Sequence, residues 1–274
     1  MNNPLILRDD HGPITVLTLN RSERRNALSR ALIAALSDTL DQIATEPGIR
    51  AIVLAAAGPV FCAGMDLKEA TEPDDTTEAQ QQAVDDTQAI AHLIDQVHKF
   101  PRPVVAALHG DAYGGGAGLA LACDLVVMAD SARLGYPEVR RGLVAAIVVH
   151  DLVRQVGDRR ARQLLLTGEP VSAEIALAWT LVNRVVPADR CQSEAVALAH
   201  TLIEAAPFAL ATTKRLLDEA SNRPESLRGA SAVTAAVRDS DEAREGMRAF
   251  LEKRPPHWKI STEHVPRYDQ RDEG

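Results

Sequence analysis

The feature that most restricts this chain is an apolar, β-branched run that ends in a glycine-rich turn. Val104 to Leu108 leads directly into His109-Gly110-Asp111-Ala112-Tyr113-Gly114-Gly115-Gly116-Ala117-Gly118. The run reads as a buried strand, and the glycines let backbone approach a ligand closely and present its N–H groups. A small-residue helix from Leu119 and a further strand at Leu125 to Ala129 follow, which points to an α/β fold. The glycines do not suit a dinucleotide site, which places G-x-G-x-x-G after the first strand with an acidic residue about 20 positions on. The Gly-Lys-Ser/Thr ending of a P-loop is absent.

The rest of the chain fits this frame. Ile14 to Asn20 is a strand by its β-branched content. Ser29 is placed to cap a helix in which Leu32, Ile33, Leu36, Leu40 and Ile43 recur at helical spacing, with Pro47-Gly48 beyond its end. Arg50 to Ala55 is a buried strand, so the chain opens as a βαβ-like unit. Thr71 to Asp86 is acidic and predicts a mobile loop running into a surface helix, which continues to Phe100. Ser172 is a second cap, Leu181 to Val186 is extended, and from Ser193 onward the pattern is almost wholly helical. The eight histidines show no metal-binding spacing.

Composition excludes some classes of function. Lys and Arg number 30 against 38 Asp and Glu, and a net charge of −8 argues against nucleic acid as a partner. Cys62, Cys123 and Cys191 have no paired spacing and read as free thiols in a reducing compartment. The first ten residues lack a signal-peptide pattern, and no apolar run reaches the ~20 residues of a membrane span. The expectation is a cytoplasmic protein without a membrane partner.

Three segments carry chemistry. Phe61-Cys62-Ala63-Gly64-Met65-Asp66-Leu67 turns out of a strand, and N–H groups at such a turn bind anions. The glycine run supplies a second such turn, and two together suit a two-donor oxyanion hole. Tyr136-Pro137-Glu138-Val139-Arg140-Arg141 sets a carboxylate among apolar and turn residues. Glu138 is there either an acid/base with a raised pKa or the partner of Arg140 or Arg141.

Taken in order, these segments resemble the crotonase, or enoyl-CoA hydratase/isomerase, superfamily. Asn20-Arg21, Arg25-Asn26-Ala27-Leu28, Ala122-Cys123-Asp124-Leu125, Leu166-Thr167-Gly168-Glu169 and Glu245-Gly246-Met247-Arg248-Ala249-Phe250 extend the resemblance over nearly the whole chain. It implies a spiral of ββα units over residues 1–192 and a helical oligomerisation region over residues 193–274, forming trimers or hexamers. It implies an acyl-CoA substrate whose thioester enolate is held by the Met65 and Gly115 N–H groups, with Glu138 as acid/base. Arg25, Ala27, Ala63, Asp66, Leu67 and Gly114 match coenzyme A-binding segments, and Phe250 and Lys253 match residues that reach a neighbour's site. No cofactor is expected beyond the coenzyme A of the substrate.

The sequence departs from the family pattern at Gly118, where two-glutamate hydratases carry their second Glu. A single carboxylate suits double-bond migration, and some branched-chain hydratases also resemble this chain there. Other crotonase chemistries (thioester hydrolysis, decarboxylation, C–C cleavage) and an idle acyl-CoA-binding member are the alternatives. Leu143-Val144-Ala145-Ala146 replaces a Gly/Pro-rich stretch and predicts an apolar acyl pocket. Thr180 stands where a helix usually ends on Gly. Asp111 reads first as a turn residue and second as a replacement acid. Asp124, Cys62, Trp179 and Trp258 read as structural, and His150 is a remote candidate near the pocket wall.

Overall fold

A computed structural model describes residues 3–70, 77–222 and 241–258. The apolar runs form strands as their composition predicts: β1 (Ile6–His11), β2 (Ile14–Leu19), β3 (Ala51–Ala56), β5 (Val104–Leu108) and β7 (Leu125–Ala129) lie in a six-stranded sheet, ordered β1-β2-β3-β5-β7-β10, with β10 at Arg184–Val186. β1 is antiparallel to β2 and the other pairings are parallel. The parallel centre is buried on both faces, which is why β3 and β5 read as continuous apolar runs.

A second, four-stranded sheet is built from short strands: β4 (Val60–Cys62), β6 (Asp111–Tyr113), β8 (Arg133–Gly135) and β9 (Val171–Ser172). From β3 to β8 successive strands alternate between the sheets. β3 and β4 precede α2 (Leu67–Ala70) and α3 (Thr77–His98), β5 and β6 precede α4 (Gly115–Leu121), and β7 and β8 precede α5 (Val149–Thr167). This is the expected succession of ββα units. Each crossing from large sheet to small sheet ends in a turn that opens a helix, so turn N–H groups collect beside the short strands.

α1 (Arg30–Ala44) is capped as predicted, with the Ser29 hydroxyl accepting from Leu32 N–H, and buries the five apolar residues named above. It stops at Ala44, short of Pro47-Gly48. Ser172 caps α6 (Ala173–Ala178) in the same way. Thr180 is left-handed, with φ 63°. Two expectations are refined. β1 carries Arg8, Asp9 and Asp10 on an exposed strand, and its charge concealed it from an apolar pattern. The acidic stretch after Thr77 is already helix, while residues 71–76 of the expected loop lie outside the described ones.

The chain divides into two compact units, Met1–Ala199 and His200–Gly274. The second contains α8 (Pro207–Asn222) and the helix Asp241–Leu251. There the Glu242 carboxylate accepts from Phe208 N–H at 2.9 Å. Glu245 takes the Arg254 guanidinium and the His257 N–H, and is held well below the usual carboxylate range, at about 2, by the Arg254 hydrogen bond first.

Candidate active site

The first turn is built on Asn26, which is fully buried. Arg25 and Asn26 are both left-handed, with φ 53° and 51°. That conformation costs roughly 1–2 kcal/mol for an ordinary L-residue and is easiest for Asn. The Asn26 side chain offsets it with three hydrogen bonds: its amide donates to Ala57 O (2.8 Å) and Val60 O (2.9 Å), and its oxygen accepts from Arg21 N–H (2.8 Å). The segment so shaped docks on the next turn. Ala63 N–H donates to Arg25 O at 3.0 Å, Leu28 N–H to Gly64 O at 2.8 Å, and Asp66 N–H to Leu28 O at 3.1 Å. Leu28 therefore bonds to the residues on either side of Met65 and leaves the Met65 N–H out of the ladder.

Asp66 closes this turn. Its carboxylate pairs with the Arg21 guanidinium at 2.6 Å, with side chains only 8% and 16% exposed, and accepts from Lys68 N–H at the start of α2. Burial pushes the Asp66 carboxyl upward, but Arg21, the Lys68 amide and the charge of Arg24 outweigh it, and the group lies below its ordinary range. Arg21 also donates to Ala27 O. Arg25, Ala27, Ala63, Asp66 and Leu67 are thus brought together around Met65, with the Asp66 side chain and the Ala27 carbonyl taken up by Arg21.

The second turn is Gly114, with φ 54°, followed by Gly115 as the first residue of α4. The helix's first backbone bond runs from Gly118 N–H to Gly114 O, so the Gly115 N–H has no intrahelical acceptor. The two turns meet at Gly64. A β-carbon there would lie 2.8 Å from Tyr113 O and 3.5 Å from Gly115 N, and its φ of 90° also requires glycine. Neither the Met65 N–H nor the Gly115 N–H has an acceptor among the described residues.

Glu138 sits in a short 3-10 turn, Pro137–Arg141, that aims its carboxylate at the same helix end. A β-carbon on Gly114 would lie 2.7 Å from Glu138 Oε1. Glu138 Oε2 is buried and has no hydrogen-bond partner among the described residues. Neither arginine of the ion-pair reading takes it: Arg140 bonds Thr167 O and Glu169, and Arg141 donates to Pro137 O. Burial raises the Glu138 pKa, while its own backbone N–H and the charge of Arg141 restrain the rise.

The remaining candidates are placed as follows. Asp111 is a turn residue, accepting from Tyr113 OH and from Arg133 N–H. Asp124 accepts from Val104 N–H. Cys62 is buried, donates to Asn26 O, and has its thiol pushed up to about 12 by burial, so it is no nucleophile. His150 is on the surface, its side chain 76% exposed. Trp179 packs under Arg160 and Trp258 lies against Gly246. Phe250 and Lys253 belong to the second unit. Beside Met65 lies a cavity of about 270 Å³, lined by Leu28, Ile33, Ile90 and Leu93, with the Arg30–Asp86 ion pair also in its wall. The expected apolar stretch is not among the residues lining it; Val144 is 78% exposed. Sequence reasoning missed Asn26 and Arg21 as builders of the site. The signal was available: a buried amide or guanidinium within a turn motif has to be satisfied by backbone it shapes.

A model of the enoyl-CoA hydratase/isomerase family matches residues 9–261. A Thermus thermophilus protein that carries the name enoyl-CoA hydratase provisionally is 43% identical over 251 residues, 91% of this chain and 98% of its own. The 2,3-dehydroadipyl-CoA hydratase of Escherichia coli is 33% identical over 249 residues, 90% of this chain and 95% of its own. The crystal structure of an enoyl-CoA hydratase from Bacillus anthracis superposes with a TM-score of 0.85 at 32% identity, covering 93% of this chain and 99% of that one. The fold and these relatives define an acyl-coenzyme A enzyme of the crotonase superfamily. The chain belongs to the enoyl-CoA hydratase/isomerase family.

Proposed function

We propose that this enzyme adds water to, or moves the double bond of, an enoyl-CoA through one carboxylate, Glu138. The observation that carries the reading is the contact of the Gly64-Met65 turn with the start of α4, where the Met65 and Gly115 N–H groups and Glu138 Oε2 have no partner among the described residues. The Met65 and Gly115 N–H groups receive the thioester oxygen, and their fixed dipoles favour the negative charge that gathers there as the enolate forms. Glu138, kept protonated more readily by burial, delivers a proton to the α-carbon or removes one. The acyl chain enters the cavity beside Met65. Arg25, Ala27, Ala63, Asp66, Leu67 and Gly114 line the coenzyme A path, chiefly through backbone.

The same reading takes the protein as a cytoplasmic homotrimer or hexamer of fatty acid metabolism, with no cofactor of its own and no membrane or nucleic-acid partner. In that assembly Phe250 and Lys253 reach a neighbour's coenzyme A. Relatives named for 2,3-dehydroadipyl-CoA, mevalonyl-CoA and benzylidenesuccinyl-CoA span dissimilar acyl groups, so the family supports the thioester more than any one acyl chain. The test is a panel of enoyl-CoA esters in deuterated water, followed by mass spectrometry and NMR. Water addition, double-bond migration or α-exchange that disappears in Glu138→Gln supports the reading; full activity in that variant refutes it. Hydrolysis, decarboxylation or C–C cleavage would instead assign one of the family's other chemistries.

A further inference from the structure

Gly118 lies one helical turn after Gly114 on the same face of α4, about 6 Å further along the helix axis; Gly114 is the residue against which Glu138 Oε1 rests. It borders a cleft of about 20 Å³ whose walls include Ile94, Tyr136, Val148, Arg154 and Gln155. A β-carbon on Gly118 would lie 2.8 Å from Val148 Cγ1 and 3.0 Å from Ile94 Cδ1, so hydrocarbon closes this side and a second glutamate has no ready space. Asp151 in this lining pairs with Arg154, and the Gln155 amide N–H donates to Leu121 O, but other polar atoms have no partner among the described residues. Arg154 Nε and Gln155 Oε1 are buried without hydrogen-bond partners among the described residues. Tyr136 is 1% exposed, and its hydroxyl makes no hydrogen bond among those residues either.

Buried polar groups without partners are few in folded proteins, and each calls for an explanation. Here a donor, an acceptor and a hydroxyl that is both line one cleft. About 10–15 Å³ accommodates one water molecule, which needs two to four polar partners. The cleft meets both conditions. Burial first, and the charges of Glu138 and Asp151 next, push the Tyr136 phenol upward, so it keeps its proton.

We propose that Tyr136 holds in this cleft the water molecule that adds to the β-carbon of the enoyl thioester, doing from the turn after β8 what a second glutamate on α4 does in two-carboxylate hydratases. The proposal rests on the enoyl-CoA reading and gives it a water-binding residue. In the step, one O–H bond of that water breaks and its oxygen bonds to the β-carbon. Glu138 takes the released proton and returns it to the α-carbon as the enolate collapses, ending as it began. Tyr136 keeps its own proton and orients the water through a hydrogen bond.

The test is Tyr136→Phe, which removes one oxygen and keeps the ring. Two reactions are compared: hydration of enoyl-CoA esters, and α-hydrogen exchange of saturated acyl-CoA esters in deuterated water, which uses Glu138 and the N–H pair but adds no water. We expect hydration to fall about 100-fold or more, with exchange and KM unchanged. Should Tyr136→Phe not fold, Gln155→Leu tests the opposite wall with the same expectation. Equal loss of both reactions, or loss of neither, overturns the water site, as does a wild-type enzyme that exchanges but hydrates no ester. A wild-type protein that neither exchanges nor hydrates overturns the enoyl-CoA reading itself.

Discussion

The two halves of the active site are built in opposite ways. Around Met65 the buried polar side chains are spoken for: Asn26 makes three hydrogen bonds, Asp66 is paired with Arg21, and the Cys62 thiol donates to Asn26 O. Around Glu138 the opposite holds, with Glu138 Oε2, the Tyr136 hydroxyl, Arg154 Nε and Gln155 Oε1 lacking partners among the described residues. The donor half has to hold two N–H groups still while charge develops, so it is saturated and rigid. The proton half has to exchange partners during turnover, and groups already satisfied would not do so. Removing a polar partner in the first half should therefore act on stability, and removing a polar group in the second should act first on chemistry.

Glu138→Gln is the strongest way to break this contrast. It should lower turnover by about 10²–10⁴ while acyl-CoA binding, measured by calorimetry, stays intact. It should also stabilise the fold. Because burial raises the folded-state pKa of Glu138, the native protein keeps a proton that the unfolded chain releases. Stability therefore falls as pH rises from the ordinary carboxylate pKa of about 4.3 toward the folded value. The variant should melt higher than wild type in neutral to mildly alkaline buffer, and the difference should vanish in acid near that ordinary pKa.

Arg21→Met tests the saturated half. It leaves Asp66 as an unpaired buried charge, which costs about 3–5 kcal/mol in urea unfolding. The folded Asp66 pKa is lowered, so the pair contributes stability above the ordinary aspartate value of about 3.9, and that contribution is lost as pH falls through the folded pKa. The deficit of the variant should shrink over the same acid range.

Gly118→Glu asks whether the proton half accepts a second carboxylate. Contact with Val148 and Ile94 should cost about 1–3 kcal/mol with no gain in hydration. Adding Val148→Ala should recover part of that stability. The smallest effect lies outside both halves: Thr180→Gly should raise stability by about 1 kcal/mol, because the left-handed φ of 63° suits glycine.

Much of this was open to a reading of the residues. β3 and β5 are legible because strands buried on both faces carry unbroken apolar runs, and α1 because its five buried residues recur at helical spacing. Ser29 and Ser172 announced their caps. The short strands β4, β6 and β8 were not legible, since three residues show no period and their pairing is set by distant segments. β1 was concealed by the charges on a strand that faces solvent.

For the site, sequence alone marked the candidate residues, because glycine turns and an isolated carboxylate are local properties of the chain. That neither neighbouring arginine pairs with Glu138 was decided only by tertiary structure. Arg140 and Arg141 adjoin it in sequence, yet the 3-10 turn sends Arg140 to Glu169 and Arg141 to Pro137 O. The meaning of Gly118 likewise depended on residues far along the chain, Ile94 and Val148, and Tyr136 acquired a role only because the fold sets it across a cleft from them. Spacing along a sequence reports what one segment is disposed to form. Burial, and with it the pKa of a carboxyl or the cost of an unpaired hydroxyl, is a sum over every segment that packs against the group, and no local pattern contains that sum.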